Sequence, residues 1–285
     1  MMDQPLQPES VPVSELVDFE DQQSLFKKML NSSANKRLMF IQASGTYGKT
    51  SLLRLLRSHC DEQGIPCCWV DFREQSYDDP QFSLTMEMCT QLGILGWLTQ
   101  AWQFPGMCNL AEAKAVVEIG GNVVNSSIVN LIRTEVHLSP EELRKSYMRE
   151  RLKSAFISDL RDLAARKGGV VCLFDSFENI SKDDVEKWLL YALLCPIASG
   201  DLEGVTVVTA GRCWPRINDW QWSARAHLIN SLPLMSVADI IEYAKRVGVE
   251  LDEADAEWCW RASRGGNPLF MSMIIKNLLA MEEVE

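Results

Sequence analysis

Nowhere in these 285 residues do apolar side chains run far enough to cross a bilayer. The longest stretch, Trp188 to Ala198, is 11 residues and contains Pro196, whereas a spanning helix needs about 20. The opening MMDQPLQPES has acids and prolines where a secretory signal needs a basic start and an apolar run. Basic charge is in deficit as well. The 28 Lys and Arg face 39 Asp and Glu, a net charge of −11, which repels phosphate backbones and anionic lipid at long range. No CxxC pair occurs among the nine cysteines, and His59, His137 and His227 lie far apart. A zinc site would therefore need long-range assembly, and buried free thiols, Cys172 among them, are the expected state. These absences point to a cytoplasmic chain with no membrane span, and they argue against nucleic acid as the default partner.

What is present is a globular core. Apolar residues make up 47% and charged residues 24%, which excludes disorder over most of the chain. Residues 1–15 read as a flexible lead with three prolines. LVDFEDQQSLFKKML (16–30) reads as an approach segment and an amphipathic helix with Leu25, Phe26, Met29 and Leu30 on one face. LMFIQ (38–42), IPCCWVDF (65–72), VVCLFD (170–175), GVTVVTAG (204–211) and the shorter AHLIN (226–230) read as strands. In VVCLFD every position before the last is apolar, the pattern of a strand covered on both faces. Helices are expected over SLLRLLRSHCDEQG (51–64), which stops at Gly64, from about Gln81 to Trp102, from Ser139 to about Arg166 and from Lys182 to Ile197. From Ser236 onward the chain reads as helical with one break, at Gly265–Gly266–Asn267–Pro268. Residues 115–136, with β-branched side chains and Gly and Asn turns, read as a small β-rich insert. Strands alternating with helices predict an α/β doubly wound core with a small helical tail.

One loop carries recognisable chemistry. Ala43–Ser44–Gly45–Thr46–Tyr47–Gly48–Lys49–Thr50 directly follows a strand and opens a helix. Small residues let successive backbone N–H groups curl around an anion, and the helix N-terminus favours negative charge there. A lysine at this spacing reaches β- and γ-phosphates, and the hydroxyl after it ligates Mg²⁺. Alanine at 43 departs from the strict GxxxxGK[ST] form, yet it is the smallest residue with a Cβ. The metal needs a carboxylate partner, and Asp175 ends an apolar strand at the carboxyl edge of the sheet, where open α/β sheets bind ligands. Glu178, three residues on, can polarise water or hold the metal through one; it can equally be a solvated loop acid. Arg212 lies just past another strand at the same edge, where a guanidinium can meet a γ-phosphate; it can equally be a surface arginine pairing with one of the many acids.

These pieces, with the GNP near the end, resemble the STAND class of P-loop NTPases, signal-transduction ATPases related to AAA+ proteins. The resemblance runs from about Leu16 to Leu279. LVDFEDQQSLFKKML is similar to the class's adenine-side segment, ASGTYGKTSLL to its Walker A, VVCLFDSFENI to its Walker B and VVTAGR to its sensor strand. LPLMSVADIIEYAKRVGV with GGNPLF resembles its helical lid. The resemblance implies a three-layer P-loop NTPase core over 16–232 and a lid over 233–285. Its sheet order would be 226–230, 37–42, 204–210, 170–175, 65–72, with the sensor strand between the two Walker strands. It also implies ATP or ADP with Mg²⁺ as ligands. Residues 43–51 (Ala43, Ser44, Gly45, Thr46, Tyr47, Gly48, Lys49, Thr50, Ser51) and Pro268 would contact nucleotide, and Thr50 and Asp175 the metal. Lys49, Glu178 and Arg212 would act on the γ-phosphate. Phe19 stands where the class often has arginine, and Asn179 where it commonly has a second acid.

The function implied is a slowly hydrolysing ATP switch in signalling or defence that controls self-assembly or a protein effector. The chain would then be free-standing, a subunit, or part of a longer protein. A nucleotide-bound module without turnover is the first rival, and a DNA-acting AAA+-type ATPase the second. Trp258 and Trp260, like Trp214, Trp220 and Trp222, read as packing the lid on the core rather than as a partner surface.

Overall fold

The computed structural model describes residues 16, 19–31, 34–73, 80–94, 140–180, 183–213 and 224–282. The lead, the 115–136 insert, Ser139, and Trp214, Trp220 and Trp222 lie outside the described residues. The elements in chain order are α1 (Glu20–Met29), β1 (Leu38–Gln42), α2 (Lys49–Gln63), β2 (Cys67–Asp71), α3 (Pro80–Leu92), α4 (Pro140–Lys167) and β3 (Val170–Asp175). There follow α5 (Asp183–Leu189), α6 (Cys195–Ser199), β4 (Val205–Gly211), β5 (Ala226–Ile229), α7 (Val237–Val247), α8 (Glu253–Ala262) and α9 (Pro268–Glu282).

The five strands form one sheet in the order β2-β3-β4-β1-β5, and every pairing is parallel. This is the order the resemblance implies, with β4 between β1 and β3. β3 and β4 are buried at every position, so they alternate between two apolar layers rather than between core and water. On one face Phe40, Val70, Phe174 and Val207 meet Leu84 and Met88 of α3, Phe156 and Leu160 of α4, and Trp188 of α5. On the other face Met39, Ile41, Leu173 and Val208 meet Phe26 of α1 and Leu52, Leu53 and Leu56 of α2. The result is a three-layer α/β fold. Among the described residues no helix is long and apolar enough to cross a membrane.

Several boundaries differ from the sequence reading. The helix expected to reach Trp102 stops at Leu92, because Gly93 turns left-handed at φ 67° and Ile94 N–H returns to the carbonyl of Cys89. The helix expected over 182–197 is interrupted by a π-helical stretch, Leu190–Leu194, just before Pro196, which has no N–H to donate. The C-terminal helices are broken a second time, between Val247 and Glu253. There Gly248 ends α7 at φ 97° and Asp252 caps α8 through the N–H of Asp255. Helices α7–α9 enclose a third cluster of their own, built on Met235, Ile240, Tyr243, Cys259, Met271 and Ile275. Trp258 and Trp260 do not join it. Trp258 is 60% and Trp260 39% exposed, because Ala256 and Cys259 take the inward positions of α8.

Candidate functional site

The carboxyl ends of β1, β3 and β4 converge on the loop 43–48. The loop leaves β1 held to its neighbour, since Ala43 N–H donates to Gly211 O at 3.1 Å. It enters α2 through Gly48, which lies at φ 79° and offers no side-chain cap to the first helical amides. Lys49 folds along the loop, its ammonium donating to Ala43 O at 2.8 Å and Ser44 O at 2.7 Å. Burial lowers its pKa, and Glu178 and Asp175 oppose that shift by favouring the charge. Tyr47 packs partly buried against the α1/α2 cluster.

Thr50, one residue into α2, donates its hydroxyl to Asp175 Oδ2 at 2.7 Å. Asp175 is 1% exposed, and its other oxygen accepts Ser176 N–H at 2.7 Å. Burial raises its pKa, the Thr50 bond opposes this, and Asp71 adds to it. Asp71 stands level with Asp175 across the β2–β3 ladder and pairs with Arg73 at 2.6 Å. Burial pushes the Asp71 carboxyl up, but the hydrogen bonds and charge of Arg73 hold it below its ordinary value.

Glu178 lies on the short 3₁₀ turn Phe177–Asn179. Its Oε2 accepts Arg212 N–H at 2.9 Å, and Arg212 Nε lies 3.4 Å from Oε1. That closeness requires Gly211, where a Cβ would stand 2.9 Å from Phe177 Cβ and 3.0 Å from the Glu178 carboxylate. Arg212 reaches over the loop, with Nη2 3.2 Å from the position of a Cβ on Gly45. Gln42 donates to the carbonyl of Arg212 at 3.1 Å. A cleft of about 500 Å³ opens here, lined by Gln42, Ala43, Ser44, Gly45, Arg212 and Asn230.

The opposite side of the loop is closed by two distant segments. Phe19, 3% exposed and at φ 67°, sets its ring edge 2.8 Å from where a Gly48 Cβ would be. Pro268 Cγ stands 3.7 Å from the same point. Asn267 donates its amide to Thr46 Oγ1 at 2.9 Å. The structure thus brings loop 43–51, Asp175, Glu178, Arg212 and Pro268 to one edge. Sequence reasoning missed Gln42, Asp71, Arg73, Gly211, Asn230 and Asn267. Gln42 and Asp71 carried a signal, since each is the polar residue that ends an otherwise apolar strand.

Comparison by sequence finds no matching family and no matching curated protein. Comparison of structures does find similar folds. A Walker-type ATPase of Pyrococcus abyssi superposes with a TM-score of 0.53 at 17% identity, over 92% of this chain and 68% of that one. Cdc6p from Pyrobaculum aerophilum superposes with a TM-score of 0.55 at 12% identity, over 97% of this chain and 65% of that one. This chain spans about two thirds of the length of each. The likeness shows the fold alone, the three-layer α/β fold of a P-loop NTPase, and does not single out the STAND class. It lends no support to the expectation, drawn from net charge, that nucleic acid is an unlikely partner.

The donor set suits a magnesium nucleotide. Thr50 and Asp175 are hard oxygen donors. Gly45 and Gly48 leave free the space that a Cβ would take against Arg212 and Phe19. Lys49 brings an ammonium to the same loop.

Proposed function

We propose that this chain binds ATP or ADP with Mg²⁺ at loop 43–51 and hydrolyses ATP slowly, working as a nucleotide-dependent switch of the STAND type. The observation that carries the reading is the 2.7 Å bond from Thr50 to Asp175, formed at the start of a helix that opens on a glycine loop and a lysine. Loop amides and Lys49 hold the phosphates. Thr50 and Asp175 hold the metal, which when bound neutralises charge building on the phosphate oxygens. Glu178 orients water, and Arg212 meets the γ-phosphate from the cleft side. Residues 16–232 form the nucleotide-binding part and 233–285 the lid, with Pro268 closing against the loop. The output is self-association or engagement of a protein effector.

The second reading, a module that keeps nucleotide without turnover, rests on the carboxylate of Glu178. Both of its oxygens face Arg212, and Asn179 offers no second acid. Nucleotide content and ATP turnover of the purified chain separate the two. In the switch reading Lys49→Ala loses binding, while Glu178→Gln keeps binding and loses cleavage about 100-fold. Retained nucleotide with no turnover in the wild type selects the module instead. No binding at all removes the site assignment. DNA binding that weakens steeply with salt would move the chain to the DNA-acting class.

A further inference from the structure

Thr46 sits at the tip of the loop with φ 73°, a left-handed conformation that a β-branched residue adopts only at a cost and that glycine would accept freely. Its hydroxyl is engaged in both directions, donating to the carbonyl of Gly45 and accepting the Asn267 amide at 2.9 Å. Asn267 is 7% exposed and does two jobs with its two ends. Its Oδ1 caps α9, accepting the N–H of Leu269 at 3.2 Å and of Phe270 at 3.5 Å, while its NH₂ reaches the loop. The residue before it is equally constrained. Gly266 lies at φ 86°, a Cβ there would stand 2.0 Å from Met235 O, and Gly266 O accepts Met235 N–H at 2.9 Å. Asn267 is therefore delivered to Thr46 by a backbone clamp at the start of α7 and by its own cap on α9.

We propose that Asn267 is a positioning residue that latches the C-terminal helices to the nucleotide loop through Thr46, so that loop conformation and α9 placement change together. The proposal rests on the reading that loop 43–51 binds nucleotide. Phosphates seated on the amides around Thr46 select one loop conformation. Only the hydroxyl held in that conformation meets the Asn267 amide. Occupancy is thus passed to α7–α9 by one hydrogen bond, without contact between Asn267 and the ligand. The strained threonine is explained in the same way, because glycine would relax the loop and remove the acceptor.

Asn267→Asp tests this cleanly, since it keeps an oxygen to cap α9 and removes the donor. Thr46→Val removes the hydroxyl from the other side, and Thr46→Ser keeps it. The probe is the methylanthraniloyl derivative of ADP with Mg²⁺, read by fluorescence titration, together with hydrogen exchange over 237–282 with and without ADP. In wild type and Thr46→Ser, ADP slows exchange across α7–α9. In Asn267→Asp and Thr46→Val that slowing is lost and affinity falls about threefold to tenfold. The double variant is no worse than either single one, and protection at the start of α9 without ADP is unchanged in Asn267→Asp. If all variants bind ADP like wild type and keep the full slowing, the latch is wrong while the nucleotide site stands. If wild type binds no ADP, the functional reading fails and takes the latch with it.

Discussion

The sheet edge and the C-terminal helices meet the same loop by different physics. Asp175 arrives at the end of a strand buried at every position and paired on both sides, so its place relative to Thr50 is fixed by the backbone ladder. The C-terminal helices have a separate core, and among the described residues they reach the rest through single polar links. Asn267 reaches Thr46, and Arg246 donates to the carbonyl of Leu16 at 2.8 Å. A net hydrogen bond is worth about 0.5–1.5 kcal/mol. Links of that size hold a position at rest and yield when a ligand contributes a few kcal/mol more to one state. A rigid edge suits chemistry; a lightly tied bundle suits reporting on it.

The sharpest way to break this contrast is to damage each region separately. Gly266→Ala puts a methyl group against the Met235 carbonyl in a left-handed conformation, so it should cost about 3 kcal/mol or more. The loss should appear in the exchange of α7–α9 and leave the sheet protected. Trp188→Ala does the converse. Trp188 is 6% exposed and lies 5.5 Å, centroid to centroid, from Phe156, so truncation should cost about 3–5 kcal/mol of sheet stability in denaturant unfolding. If either change unfolds both regions together, they are one cooperative unit and the contrast fails.

The next effect is smaller and has the opposite sign. Asp159 of α4 is 4% exposed, and its Oδ2 has no hydrogen-bond partner among the described residues. Burial, then Asp162, pushes its pKa up to about 6, against the pull of Arg166. A carboxyl raised in the folded state holds its proton longer than in the unfolded chain. Stability should therefore fall as pH rises from about 4 to about 6 and stay level above. The penalty at neutral pH is at most about 3 kcal/mol. Asp159→Asn should flatten that slope and raise Tm at pH 7. A pH profile identical to wild type would show that Asp159 ionises freely.

The contrast also explains what could be read beforehand. VVCLFD and the GKT loop are local patterns, each short enough for a single run of residues to specify strand, edge and charge. The sheet order came through resemblance and agrees with the structure. The second break in the C-terminal helices was legible too, since Gly248 and Asp252 are standard stop and start residues. The Asn267–Thr46 bond joins residues 221 positions apart, and no local pattern announces it. Arg73 and Asn230 are similar, as ordinary polar residues that gain a role only from the neighbouring strand.

The smallest predicted effect bears on the tryptophans of α8. Expecting them to be buried gave weight to their size, whereas helical phase decides. Ala256 and Cys259 face inward one turn apart, which leaves Trp258 outside at 60% exposure. Beside it Glu257 pairs with Arg261 at 3.0 Å across one turn, with both partners more than half exposed, an arrangement that adds little to stability. Trp258→Gln should therefore shift unfolding by no more than about 0.5 kcal/mol, about a tenth of the cost expected at Trp188. Equal denaturation midpoints for Trp258→Gln and wild type would confirm that the bundle is held by its inner face alone. A loss above about 2 kcal/mol would mean that Trp258 packs against another part of the chain in solution, and the lightly tied bundle would have to be redrawn as a docked one.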